Sequence, residues 1–168
     1  MHVLNTMRCL TCAYADDDPS LVFPDDQHLA GFVPLERSCL AQLRRIIHAT
    51  GAHIVLSTTW RLEPAMRAFL LQALDVSGIG GGVVVGDTPA VPGAGRGQEI
   101  SAFLARGHGG GHATRCVFAI LEDDDKHVAS FASAGLSGRC VQTNMTDGLT
   151  EAAADDVITL LAGDFAGD

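Results

Sequence analysis

The sequence holds no window of the roughly 18 apolar residues that suggest a membrane span, and its N-terminus shows no apolar run of secretory length. An intracellular, cytoplasmic setting and no membrane partner are therefore expected. Basic residues are scarce. Eleven Lys and Arg stand against 20 Asp and Glu, a formal charge of −9. That balance excludes a generic electrostatic nucleic-acid binder, which needs a basic face to displace counterions from phosphates; a local basic patch stays open. Cysteines are few and odd in number: Cys9, Cys12, Cys39, Cys116 and Cys140. Scattered in this way, they suit free thiols in a reducing compartment.

Several common sites are missing too. Cys9-x-x-Cys12 has no second ligand pair at zinc spacing, and no strand precedes it to make a thioredoxin-like redox site. His108-Gly-Gly-Gly-His112 looks like an esterase oxyanion loop, but no G-x-S-x-G elbow accompanies it, so a glycine-rich linker is expected. The Gly78–Gly82 run precedes a strand instead of following one and does not fit a nucleotide fingerprint. No internal repeat and no second domain are visible.

What is present is a 47% hydrophobic chain of 168 residues, enough for one folded domain with a substantial core. Residues 11–32 read as an irregular insertion, with Asp16-Asp17-Asp18-Pro19 and Pro24-Asp25-Asp26. Leu35, Cys39, Leu43, Ile46 and Ile47 follow at helical spacing, with Gly51 as a stop. "HIVLS" reads as a buried strand. Pro64 suits the first turn of a helix carrying Met66, Phe69, Leu70 and Leu74. A second strand is expected at Val83–Val85, a helix from about Gly97 to Ala105, a third strand at "CVFAIL" and a fourth at "RCVQT". Thr150 is the expected N-cap of the last helix. Strands alternating with helices predict an α/β, Rossmann-like parallel sheet with helices on both faces.

In such sheets the site lies beyond the carboxyl ends of the strands. Two ends stand out. Ser57-Thr58-Thr59-Trp60-Arg61 follows "HIVL", and hydroxyls and N–H groups at such a tip suit a phosphate oxygen. Glu122-Asp123-Asp124-Asp125 follows "CVFAIL", and adjacent carboxylates suit a hard cation such as Mg²⁺. Between them Arg96 opens a helix, where a cation neutralises charge on a phosphoryl group. Alone, each has a bland reading: a turn, a solvated acidic loop, a surface arginine. Their order, one at each strand end, is the specific feature. Trp60 reads either as a core anchor or as a wall of the site.

These motifs, "TGAHIVLSTTWR", "GDTP" with "RGQEI", "FAILEDDD" and "VQTNMTDGLT", resemble the haloacid dehalogenase-like (HAD) superfamily, in particular the branch similar to the HAD domains of Swiss Army Knife RNA repair proteins. The resemblance runs from about Val3 to Leu161. It implies a Mg²⁺-dependent phosphohydrolase in which Ser57 and Arg96 are catalytic, Ser57, Thr58 and Arg96 bind the phosphoryl group, and Glu122 with Asp123 hold Mg²⁺. Glu122 stands where Asp is more usual, and its extra methylene weakens the expected fit to octahedral Mg²⁺.

The family's first motif, Asp-x-Asp-Gly, carries the nucleophile, and it is absent. Val3-Leu4-Asn5-Thr6 resembles the sequence just after it, with Met1 and His2 where the second Asp and the Gly belong. One domain over residues 1–168, truncated at its N-terminus, with its first, central strand missing or replaced, is therefore expected. It is expected to be inactive as given; the alternative is a non-catalytic phosphate- or partner-binding module. Three origins fit: a fragment or late-started gene model, a shortened relative, or substitution by Asp16–Asp18, for which a Pro-flanked loop is a poor platform. The partners implied are a phosphorylated small molecule or a nucleic-acid phosphate end, and a strand donor that fills the sheet.

Overall fold

The computed structural model describes residues 2–6, 21–22, 35–106 and 117–163. The readings of Cys9, Cys12, Asp16–Asp18, His108–His112 and Cys116, and of residues 11–32 apart from 21–22, lie outside the described residues, except that a strand at His2–Thr6 does precede Cys9, against the expectation of none.

In chain order come β1 (His2–Thr6), β2 (Leu21–Val22), β3 (Leu35–Glu36), α1 (Arg37–Thr50), β4 (His53–Leu56), α2 (Pro64–Val76), β5 (Val84–Asp87), α3 (Arg96–Ala105), β6 (Val117–Glu122), α4 (Asp125–Ser133), β7 (Cys140–Gln142) and α5 (Glu151–Ala162). Five strands form a parallel sheet in the order β5-β4-β1-β6-β7. β2 and β3 make a separate antiparallel pair. The sheet is the α/β, Rossmann-like one that the strand–helix alternation predicts.

The central place, expected to be missing or replaced, is filled by β1. Val3 pairs with His53 of β4 on one side and with Phe118 of β6 on the other, and Asn5 with Val55 and Ile120. The backbone groups of both neighbours thereby find ladder partners. The segment that resembles the sequence after the family's first motif is itself the central strand.

The sheet buries both faces by the two-residue alternation of strand side chains. Ile54, Leu56, Ala119 and Leu121 join the buried faces of α1, α2 and α5, including Leu43, Ile46, Phe69, Leu70, Val157 and Leu161. Ile120 faces the other way, against Ile100 of α3 and Phe131 of α4, and Val55 packs on Phe103 of α3. Runs of apolar residues in β4 and β6 thus need helices on both sides.

The termini of the helices follow sequence chemistry. Gly51 takes a left-handed φ of 63° and closes α1 through a hydrogen bond to the Ile47 carbonyl. Pro64 occupies the first turn of α2. Thr150 caps α5 by accepting from the Ala153 N–H at 3.2 Å. Two boundaries differ from expectation. Leu35 pairs with Val22 in β3, ahead of α1, and the second strand begins at Val84, after a short 3-10 turn at Gly81–Val83. Helix α4 is an addition, because its buried side is carried by few large residues besides Phe131. Among the described residues no helix is long and apolar enough to cross a membrane.

Candidate functional site

Every strand that the sequence marked ends at the same edge of the sheet, as a parallel arrangement requires. Ser57 and Thr58 follow β4, Thr88 follows β5, Asp123 follows β6 and Thr143 follows β7. Ser57, Thr58, Thr88 and Thr143 are all buried. Thr88 Oγ1 donates to Ser57 Oγ at 3.4 Å. A hydroxyl that accepts in this way keeps its own proton to donate. The Thr58 hydroxyl accepts from the Trp60 N–H at 3.3 Å and so caps the 3-10 turn Thr59–Leu62. Trp60 itself packs on the core, with its ring 6.4 Å from that of Phe69.

Arg61 braces this loop. Its side chain is 1% exposed, and every nitrogen of its guanidinium is used. Nε donates to the Thr88 carbonyl at 2.9 Å, and Nη1 to those of Ser57 at 2.9 Å and Thr58 at 2.7 Å. Nη2 donates to Glu99 Oε2 at 3.0 Å. Burial lowers its pKa from the usual arginine value, opposed by the Glu99 carboxylate and reinforced by the charge of Arg96. The fork geometry of arginine suits this task, because several carbonyls must be met at fixed angles.

Arg96 is the first residue of α3, and its surroundings differ from those of Arg61. It is 8% exposed, yet Nη1 makes a single described hydrogen bond, to Glu99 Oε2 at 2.6 Å. Glu99 Oε1 accepts from the Val91 N–H at 3.3 Å. Nearby, Arg67 of α2 pairs with Asp87 at the end of β5, Nε to Oδ2 at 3.1 Å. Three guanidiniums, of Arg61, Arg67 and Arg96, therefore face two carboxylates, of Glu99 and Asp87. A cluster that carries one surplus positive charge and is partly withdrawn from water favours an anion.

The acidic strand end divides its labour. Glu122 Oε1 accepts from the backbone N–H groups of Asp123 at 3.1 Å and Asp124 at 3.2 Å. Its Oε2 lies 3.2 Å from His127 Nδ1, an electrostatic approach outside hydrogen-bond alignment. Asp124 caps α4 through the Lys126 N–H at 2.8 Å, and Asp125 accepts from Gln142 Nε2 at 2.6 Å. The carboxylate oxygens of Asp123 are buried. Beside them the Thr143 N–H donates to the Glu122 carbonyl at 2.9 Å. The Thr143 hydroxyl is buried and has no hydrogen-bond partner among the described residues.

Ser57 and Arg96 are thus brought into one network through Arg61, Glu99 and Thr88. Glu122 and Asp123 sit at the end of β6, two strand places from β4, which at strand spacing is roughly 10 Å. The donors there are hard oxygens, the kind that Mg²⁺ takes, but half of the Glu122 carboxylate is committed to the turn. No group of three or more His, Cys, Asp or Glu is arranged for a metal ion among the described residues. Sequence reasoning passed over Glu99 and Thr88. Glu99 stands three residues after Arg96, a spacing that places both on one helix face, and Thr88 follows β5 as Ser57 follows β4.

The model of the HAD domain in Swiss Army Knife RNA repair proteins matches residues 3–154. The chain belongs to this family. No curated protein and no solved structure matches it.

Proposed function

We propose that this HAD domain binds a phosphoryl group at the carboxyl ends of β4 and β5, with Ser57, Thr58 and Arg96 as its ligands. The observation that carries this is Arg96, a cation only 8% exposed with five N–H donors and one described acceptor. The remaining donors match a phosphate oxygen, and the Ser57 and Thr58 hydroxyls each retain a proton to donate. Family membership supports the same reading, of a Mg²⁺-dependent phosphohydrolase type. Mg²⁺, when bound, would neutralise phosphate charge, and Glu122 with Asp123, hard oxygen donors at the end of β6, would hold it. Because the Glu122 carboxylate is partly committed, Mg²⁺ affinity is expected to be weak.

Chemistry is a separate matter from binding. None of the residues of β1, His2 to Thr6, is a carboxylate, so this central strand offers no aspartyl nucleophile. The domain is therefore proposed to bind phosphate monoesters, with no turnover expected from a nucleophile on β1 itself. A phosphorylated small molecule and a nucleic-acid phosphate end present the same monoester group.

Calorimetry and thermal melting with inorganic phosphate and Mg²⁺ test this. Phosphate is expected to raise the melting temperature by linkage, and Arg96→Ala to abolish the rise. A wild-type melting temperature that millimolar phosphate with Mg²⁺ leaves unchanged sinks the proposal.

A further inference from the structure

We propose that Glu99 is a positioning residue for the anion site, holding Arg96 beside the Arg61-braced Ser57–Thr58 loop and toward the bound phosphate; this rests on the phosphate-binding reading above. One carboxylate joins three segments. Oε2 receives Arg61 and Arg96 together, at 3.0 and 2.6 Å, and Oε1 receives the Val91 N–H of the loop after β5 at 3.3 Å. Arg61 in turn holds the carbonyls of Ser57, Thr58 and Thr88. The Arg96 guanidinium is therefore tied, through one oxygen atom of Glu99, to the arginine that braces the Ser57–Thr58 loop.

The physical need is plain. Arg61 and Arg96 are like charges held close, both largely withdrawn from water, and they repel. Glu99, 12% exposed, is the anion between them. Without it the cheapest response is for Arg96, which has no other described hydrogen bond, to turn toward solvent. Arg61 stays, because four other backbone contacts hold it.

Two roles for Glu99 predict opposite signs. A carboxylate that only neutralises charge opposes an incoming anion, so its loss tightens phosphate binding. A carboxylate that positions Arg96 loses the site when it goes, although the cluster becomes more positive. Glu99→Gln keeps the shape and removes the charge. Its Kd for inorganic phosphate, measured by calorimetry on folded protein, is expected to rise by about tenfold or more, the scale of a lost charge-assisted contact. Fluorescence of Trp60, the sole tryptophan, verifies the fold beside Arg61. An unchanged or lower Kd in folded Glu99→Gln overturns the proposal. A role in stability alone lowers the melting temperature and leaves that Kd untouched.

Glu99→Asp is the second variant. It keeps the charge on a side chain one methylene shorter, which does not span both guanidiniums, and its Kd is expected to rise as well. If Glu99→Gln fails to fold, an unchanged Kd in Glu99→Asp overturns the proposal by itself. Wild-type protein that binds no phosphate defeats the underlying reading instead, and is told apart by that control.

Discussion

Gly97 and Ser130 meet so closely that position 97 has no room for a side chain. The Gly97 N–H donates to Ser130 Oγ at 3.1 Å, and a Cβ built on Gly97 would lie 2.7 Å from the Ser130 carbonyl oxygen. This contact seats the first turn of α3, and with it Arg96, against α4. Gly97→Ala must push the two helices apart. We expect it to destabilise the domain by about 1–3 kcal/mol, the usual scale of overpacking. Urea denaturation of the two proteins measures it; equal midpoints would contradict the contact.

Arg61 should be the most costly polar side chain to remove. Arg61→Met leaves the Ser57 and Thr58 carbonyls without their donor and Glu99 with Arg96 alone. Breaking a buried pair from one side typically costs about 3–5 kcal/mol. Chemical denaturation is expected to show a loss of that order. A loss below about 1 kcal/mol, as for an exposed pair, would mean that the loop is held by other groups.

Thr150→Ala tests the start of α5. The Thr150 hydroxyl accepts from the Ala153 N–H, and the substitution strands that donor. The expected cost is about 1 kcal/mol. Thr150→Asp, which restores an acceptor, should recover most of it in the same thermal melts.

Stability should fall at alkaline pH through Cys140. Burial, followed by the nearby Glu122 charge, raises its thiol to about 11 from an ordinary 9.0. The native state thus keeps a proton that the unfolded chain gives up first. The stabilising contribution is complete below pH 9.0 and is lost as pH climbs toward about 11. Cys140→Ala should flatten that part of the stability profile relative to wild type. Parallel profiles for the two proteins would refute the assignment.

Asp123→Asn addresses the metal. If Asp123 is the ligand that presents Mg²⁺ to the phosphate, the variant binds phosphate with an affinity that Mg²⁺ no longer improves. Calorimetric titrations with and without Mg²⁺ read this directly. A Mg²⁺ effect of wild-type size in Asp123→Asn would move the metal elsewhere.

Local order alone made much of this molecule readable. Apolar runs at 53–56 and 117–121, a helical period from Cys39 to Ile47, Gly51 as a stop, Pro64 as a start and Thr150 as a cap are statements about near neighbours, and each has its counterpart in the fold. The strand ends were legible for the same reason, since parallel sheets gather them at one edge. What the sequence alone did not reveal depends on distant partners. Helix α4 presents few large apolar residues, so its period is faint, and it is held by packing of Phe131 and by the Gly97 contact. The occupancy of the central strand place by His2–Thr6 follows from two ladders to residues some 50 and 115 positions away. Glu99 looked like one acid among 20. Its role arises because folding places it between two guanidiniums, one from its own helix and one from the loop after β4. Chemistry along the chain determined which residues stand at the strand ends, and only the tertiary structure decided which charges share a carboxylate, because electrostatic pairing depends on distance in space.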